Sequence, residues 1–207
     1  MSSKIILSLL LIPLFSFQLL KAQEKLPVSI SVAVGYPISF GENTLESTTS
    51  LFAVDMNAQF PICKNFSFGP SYRASIYGDK IEFTDENGFV TREDFYSSIL
   101  NHLELLSEYH VGISEKLNLR FGLAAGYSFL HASSQLYSYL PGKSPKGFDI
   151  SPGTTLQFSL SDHLALSSSL KYTFSNLTSS SDVGGTTSKI NQNIHETTFA
   201  IGAAYLF

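Results

Sequence analysis

Beyond residue 22 the chain never stays apolar for long, because it alternates. Val28, Ile30, Val32, Val34, Tyr36 and Ile38 are separated by Ser29, Ser31, Ala33, Gly35 and Pro37. A step of two puts the first set on one face of a β-strand and the second on the other. Nothing after residue 22 approaches the roughly 18 consecutive apolar residues that a membrane helix needs. Yet aromatic residues make up 13% of the chain and charged residues only 14%. Hydrophobicity this abundant and this finely divided points to strands with one greasy face.

The pattern recurs seven more times. Apolar sets run through Phe52 to Ile62, Phe66 to Ile76, Ile99 to Tyr109, Leu117 to Phe129, Phe148 to Leu160, Leu164 to Phe174 and Phe199 to Phe207. The fourth is the least regular, since Asn101 and Ser107 share the parity of Leu103 and Leu105. Cys63-Lys64-Asn65, Gly112 to Lys116 and Ser161-Asp162-His163 read as tight turns. Longer links fall at about 40–50, 78–94, 131–147 and 176–193. Within 78–94, Asn87-Gly88 between two alternating arms predicts a hairpin. The serine- and glycine-rich link at 176–193 reads as a flexible loop. Short connections at one end and long ones at the other predict an eight-stranded antiparallel up-and-down transmembrane β-barrel, closed so that no sheet edge meets lipid.

Charge placement gives the barrel its orientation. Asp55, Arg73, Glu104, Glu108, Arg120, Asp149, Lys171 and Glu196 all fall on the polar parity of their strands. A soluble lipocalin-like barrel would turn its apolar face inward around a ligand. Eight charges sharing one face instead suit a polar lumen surrounded by an apolar, lipid-facing exterior. Centring the first turn on Lys64 sets Asp55 across from Arg73, and centring the second on Ser114 sets Glu108 across from Arg120. Glu104, Lys171 and Glu196 at similar depth complete an expected lumenal charge network of seven residues. The small residues Ser29, Ser31, Ala33, Gly202 and Ala204 on strands one and eight leave room for it. Aromatic residues gather at both strand ends, as at the two interfaces of a bilayer.

Residues 1–22 read as a cleaved signal peptide. Lys4 precedes a mostly apolar Ile5–Leu20, and Leu20-Lys21-Ala22 offers a small residue for cleavage. The barrel domain is then 23–207. Removing the leader leaves 11 basic and 17 acidic residues, a net charge of −6. That balance argues against nucleic acid as a partner. The single cysteine, Cys63, excludes an internal disulfide.

The closing segment Phe199-Ala200-Ile201-Gly202-Ala203-Ala204-Tyr205-Leu206-Phe207 resembles the strand that outer-membrane barrels present to the barrel assembly machinery. Lys64-Asn65-Phe66-Ser67-Phe68-Gly69, Glu115 to Gly122, and His102-Leu103-Glu104-Leu105-Leu106 are similar to segments of the outer membrane beta-barrel (porin-family) proteins of Bacteroidota. The resemblance implies an integral outer-membrane location, outer-membrane lipid as surroundings, and the assembly machinery as a partner through Phe207.

Function is less constrained. Eight strands enclose an interior that side chains fill, so the chain is expected to be a plugged, non-enzymatic barrel. Its role would then be structural, or interactive through extracellular loops such as 78–94. The alternatives are a narrow solute channel, an outer-leaflet lipid-modifying enzyme, or a soluble lipocalin-like binder. His131-Ala132-Ser133 faintly resembles the His-x-Ser of a lipid A deacylase, with Asp149 the nearest acid. His102, His110, His163 and His195 are scattered along the chain, and no nucleotide fingerprint appears. Neither a metal nor a cofactor is therefore expected.

Overall fold

The computed structural model describes residues 27–40, 49–84, 90–132, 144–183 and 186–207. The expected signal peptide, Ser133 and the Asn87-Gly88 turn lie outside the described residues. Eight strands follow one another around the wall: β1 (Ser29–Phe40), β2 (Thr49–Cys63), β3 (Phe66–Thr84), β4 (Val90–Gly112), β5 (Leu117–Ala132), β6 (Lys146–Ser159), β7 (Leu164–Val183) and β8 (Thr186–Leu206). Each pairs antiparallel with its sequence neighbour, and β1 pairs with β8 from Ser29↔Leu206 to Phe40↔His195. The sheet is a closed barrel.

The alternation explains which side faces out. Val34, Ile201 and Phe207 are 58%, 62% and 65% exposed on the outer surface, whereas Arg73 and Glu196 are 0% exposed inside. This inverts the usual soluble pattern of buried apolar and exposed charged residues. A continuous apolar exterior of this kind is stable only against another apolar phase. The two polar intruders on the outer face of β4 are satisfied locally. Tyr72 Oη donates to Asn101 Oδ1 at 2.7 Å, and Ser107 Oγ donates to the Leu123 carbonyl at 2.9 Å. Neither presents an unpaired polar group to lipid.

The turns differ from expectation in detail. Across β2–β3, Asp55 does face Arg73. Across β4–β5 the register is shifted by two, so that Glu108 faces Gly122 and His110 faces Arg120. The cause is the four-residue connection Ile113-Ser114-Glu115-Lys116, closed by Ile113 N–H and Ser114 N–H on the Leu117 carbonyl. It centres the hairpin on residue 115 rather than 114.

At the loop end two hairpins outgrow the wall. The β4–β5 ladder stops at Ser98↔Ala132, while β3 and β4 continue pairing to Thr84↔Val90. The β6–β7 ladder stops at Lys146↔Thr178, while β7 and β8 continue to Val183↔Thr186. The link at 176–193 is thus not a flexible loop over its described part but a paired ribbon. Asn176 Nδ2 donates to Asn193 Oδ1 at 2.6 Å, and Thr178 Oγ1 donates to Asn191 Oδ1 at 2.9 Å across it. Such cross-strand polar pairs hold a ladder together without an apolar face.

Candidate functional site: the layered lumen

Inward-facing side chains stack in three layers. The loop-end layer is apolar. Tyr77, Leu100, Leu130, Leu177 and Ile194 are all 3% exposed or less and form one cluster. Leu100 and Leu130 are direct ladder partners. This cluster lies on the parity that the sequence assigns to polar residues, and alternation alone gave no sign of it.

The middle layer carries the charge, and five buried carboxylates (Asp55, Glu104, Glu108, Asp149, Glu196) share the lumen with three buried cations (Arg73, Arg120, Lys171). The pairing differs from the cross-strand expectation. Asp55 accepts from Lys171 Nζ at 2.7 Å, from β7 on the far wall. Arg73 instead meets Glu196, with Nε 3.5 Å from Oε1. In a narrow barrel, long side chains reach across the lumen, so ladder opposition does not decide the partner. Arg120 and Glu108 do pair, at 3.2 Å, but diagonally because of the shifted register. Hydroxyls satisfy part of the remainder. Arg73 Nη2 donates to Thr173, Tyr77 Oη and Thr198 Oγ1 donate to Glu196, and Ser151 Oγ donates to Glu104. Removing two charges from water costs several kcal/mol per ion. Only such additional hydrogen bonds make a buried pair tolerable.

One grouping went unforeseen. His102 faces the same interior, with Nδ1 2.8 Å from Asp149 Oδ2 and 2.7 Å from Ser128 Oγ. Ser128 Oγ also donates to Asp149. Glu104 completes the group, and one ligand-type atom from each of His102, Glu104 and Asp149 lies within 4.8 Å of the others. Histidine spacing carries no sign of this group, because His102's neighbours are carboxylates from β4 and β6, not other histidines. The signal was available: His102 and Glu104 share the polar parity of β4.

By residue type Ser128, His102 and Asp149 suggest a hydrolytic triad, but the geometry does not. A triad needs the nucleophile on one ring nitrogen and the carboxylate on the other. Here both sit at Nδ1, and all three residues are fully buried. The His131 alternative fares no better. His131 is exposed on the outer face, whereas Asp149 is sealed in the lumen against His102.

The turn-end layer is looser. Ser67 Oγ donates to Gln59 Oε1 at 3.2 Å and lies 2.7 Å from His110 Nε2, and Arg120 donates to Gln157. These groups line an open vestibule of about 220 Å³. Above it, a void of about 30 Å³ lies between Lys171, Asp55 and the small side chains Ser31, Ala33 and Ala204. The lumen is therefore a cup, open at the turn end and stopped by the apolar layer at the loop end.

No protein-family model matches the sequence, and no curated protein matches it either. The fold, however, matches solved structures. The chain is similar to Neisserial surface protein A, with a TM-score of 0.61 at 10% identity, over 89% of this chain and 100% of that one. It is also similar to outer membrane protein OprG from Pseudomonas aeruginosa (TM-score 0.49, 11% identity, 89% and 97% covered) and to outer membrane protein W of E. coli (0.49, 14%, 90% and 100%). The chain has the eight-stranded β-barrel fold of outer-membrane proteins.

Proposed function

We propose that this chain is an integral outer-membrane barrel, exported by residues 1–22, that acts as a plugged scaffold presenting the β3–β4 and β7–β8 hairpins outside the cell. The observation that carries the reading is the filled lumen. Among the described residues, an apolar layer closes one end and paired charges occupy the middle. The projecting ribbons are then the part of the molecule able to meet a partner, and strand addition at the 78–94 hairpin is the mode its backbone offers. The C-terminal strand ending at Phe207 engages the barrel assembly machinery. The turn-and-strand segments around Lys64 and Glu115 support membership of the Bacteroidota porin-family barrels.

The test joins two measurements. Wild-type protein in planar bilayers is expected to give no conductance steps. A photo-crosslinking residue at position 84 or 180 in intact cells is expected to yield higher-mass adducts, and one at position 64 in the β2–β3 turn is not. Steady conductance together with absent adducts at 84 and 180 would replace this reading with a narrow channel.

A further inference from the structure

We propose that His102, Glu104 and Asp149 form a lumenal binding site for one divalent transition-metal ion, held by an imidazole nitrogen and two carboxylate oxygens.

The case begins with the ion pairs. Arg73 is matched to Glu196, Lys171 to Asp55 and Arg120 to Glu108. Each lumenal arginine or lysine is thereby committed. Among the described residues, the two carboxylates left without such a partner are Glu104 and Asp149, and these two converge with His102. Arg73 also acts on both from a distance, on Glu104 more than on Asp55 and on Asp149 least of the four carboxylates. Five acids thus share the lumen with three fixed cations, an excess of two acidic groups. A divalent ion held between the two unpaired acids would offset that excess.

The orphaned atoms point the same way. Glu104 Oε2 and Asp149 Oδ1 are buried and have no hydrogen-bond partner among the described residues; His102 Nε2 has none either, but it lies on the ring edge away from the Nδ1 that meets Asp149. Glu104 is 4% exposed and the other two are 0% exposed. A buried polar atom left unpaired costs on the order of 1–3 kcal/mol, and more when charged. Two carboxylate oxygens in one cluster are accounted for by a shared ligand.

The backbone brings the carboxylates together. Gly126 on β5 is the ladder partner of both Glu104 and Asp149. With no side chain between them, the two acids approach across the gap, and a Cβ on residue 126 would meet the Leu103 carbonyl oxygen at 2.0 Å. Two carboxylates so placed repel each other unless a proton or a cation lies between them. A ligand set of one nitrogen and two oxygens suits zinc or a neighbouring first-row ion, with bonds of about 2.0–2.2 Å. Binding would require the 4.8 Å span to contract, with Glu104 Oε2 turning inward while Oε1 stays on Ser151. Ser128 Oγ keeps the imidazole aimed into the cluster.

The experiment uses the mature barrel purified from outer membranes, stripped with chelator, equilibrated with Zn²⁺ and desalted. Metal content, X-ray absorption at the zinc edge and heat-modifiable gel mobility are then read on the same samples. The expected result is one zinc per barrel with nitrogen and oxygen ligands only. Glu104→Gln and Asp149→Asn should weaken binding by more than about 100-fold, beyond the 10–100-fold that loss of an outer-shell partner brings. Both should keep the mobility shift of a folded barrel, and His163→Gln, at an exposed turn, should bind as wild type. Absence of retained zinc in the wild type, a sulfur ligand from Cys63, or undiminished binding in both carboxylate variants would overturn the proposal. If the variants fail to fold, the absorption spectrum of the wild type decides alone.

Discussion

Asp55 and Arg73 sit directly opposite each other on the β2–β3 ladder, yet neither takes the other as its ion-pair partner. Asp55 turns to Lys171 and Arg73 to Glu196, so the lumen is braced across its width. Coupling energies should follow those pairings. In double-mutant cycles measured by urea unfolding in vesicles, Asp55→Asn with Lys171→Met should couple by about 0.5–3 kcal/mol. Asp55→Asn with Arg73→Met should couple less. Equal coupling in the two cycles would mean that the charges act as an undifferentiated pool.

Removing one member of the deepest pair is a harsher change. Arg73→Ala leaves Glu196 buried without its cation, a loss of about 3–5 kcal/mol by analogy with other broken buried pairs. Arg73→Ala combined with Glu196→Gln should recover part of that loss. The same unfolding midpoints report it.

The apolar stopper should be costly to hollow out. Leu100→Ala and Leu177→Ala each remove a fully buried side chain, and each should destabilise the barrel by about 2–5 kcal/mol. Neither single change should create conductance in planar bilayers, because the paired charges lie beneath. Conductance from Leu100→Ala alone would show that the apolar layer is the sole barrier.

Much of this architecture was legible in advance, and the gaps have physical reasons. The eight strands and the segregation of charge are written in a period of two, which lipid enforces on every spanning residue. Outside the bilayer that enforcement stops. The backbones of Asn176 to Val183 and Thr186 to Asn193 pair, with Asn176–Asn193 and Thr178–Asn191 bonding through polar side chains, and their composition reads as a loop. The register of β4–β5 turned on one residue of hairpin centre, a choice that local composition around Ser114 and Glu115 does not settle. The partners of Asp55 and Arg73 depended on reach across a closed lumen, which strand opposition does not encode. Leu100, Leu130 and Leu177 stand on the polar parity, and only three dimensions bring them together. His102 lay on the right face next to Glu104, but Asp149 arrives two strands away through Gly126.

Gly126 offers a sharp test of that proximity. Gly126→Ala would drive a Cβ to 2.6 Å from the Glu104 Cα as well as into the Leu103 carbonyl. Overpacking of this kind should cost about 1–3 kcal/mol or more. Gly112→Ala, with nothing within 4 Å of its added carbon, should be near neutral under the same conditions.

The single cysteine provides a native probe of orientation. Cys63 is free and exposed at the β2–β3 turn. In intact cells it should resist a membrane-impermeant maleimide and become labelled once the outer membrane is permeabilised. Ser180→Cys, on the β7–β8 ribbon, should label in intact cells. The opposite pattern would reverse the barrel in the membrane.

The two projecting ribbons leave the wall at the β3–β4 seam and the β7–β8 seam, and two strands separate these seams in either direction around the ring. They are therefore diametrically opposed, like the tines of a fork whose spacing the barrel itself holds fixed. If the ribbons bind as proposed, an object wide enough to touch both would gain from avidity. After one tine let go, the other would keep the contact at an effective concentration in roughly the millimolar range, as for short tethers. A gauge of one barrel's width would then discriminate by size, favouring broad or repetitive surfaces over small molecules that could reach only one tine at a time.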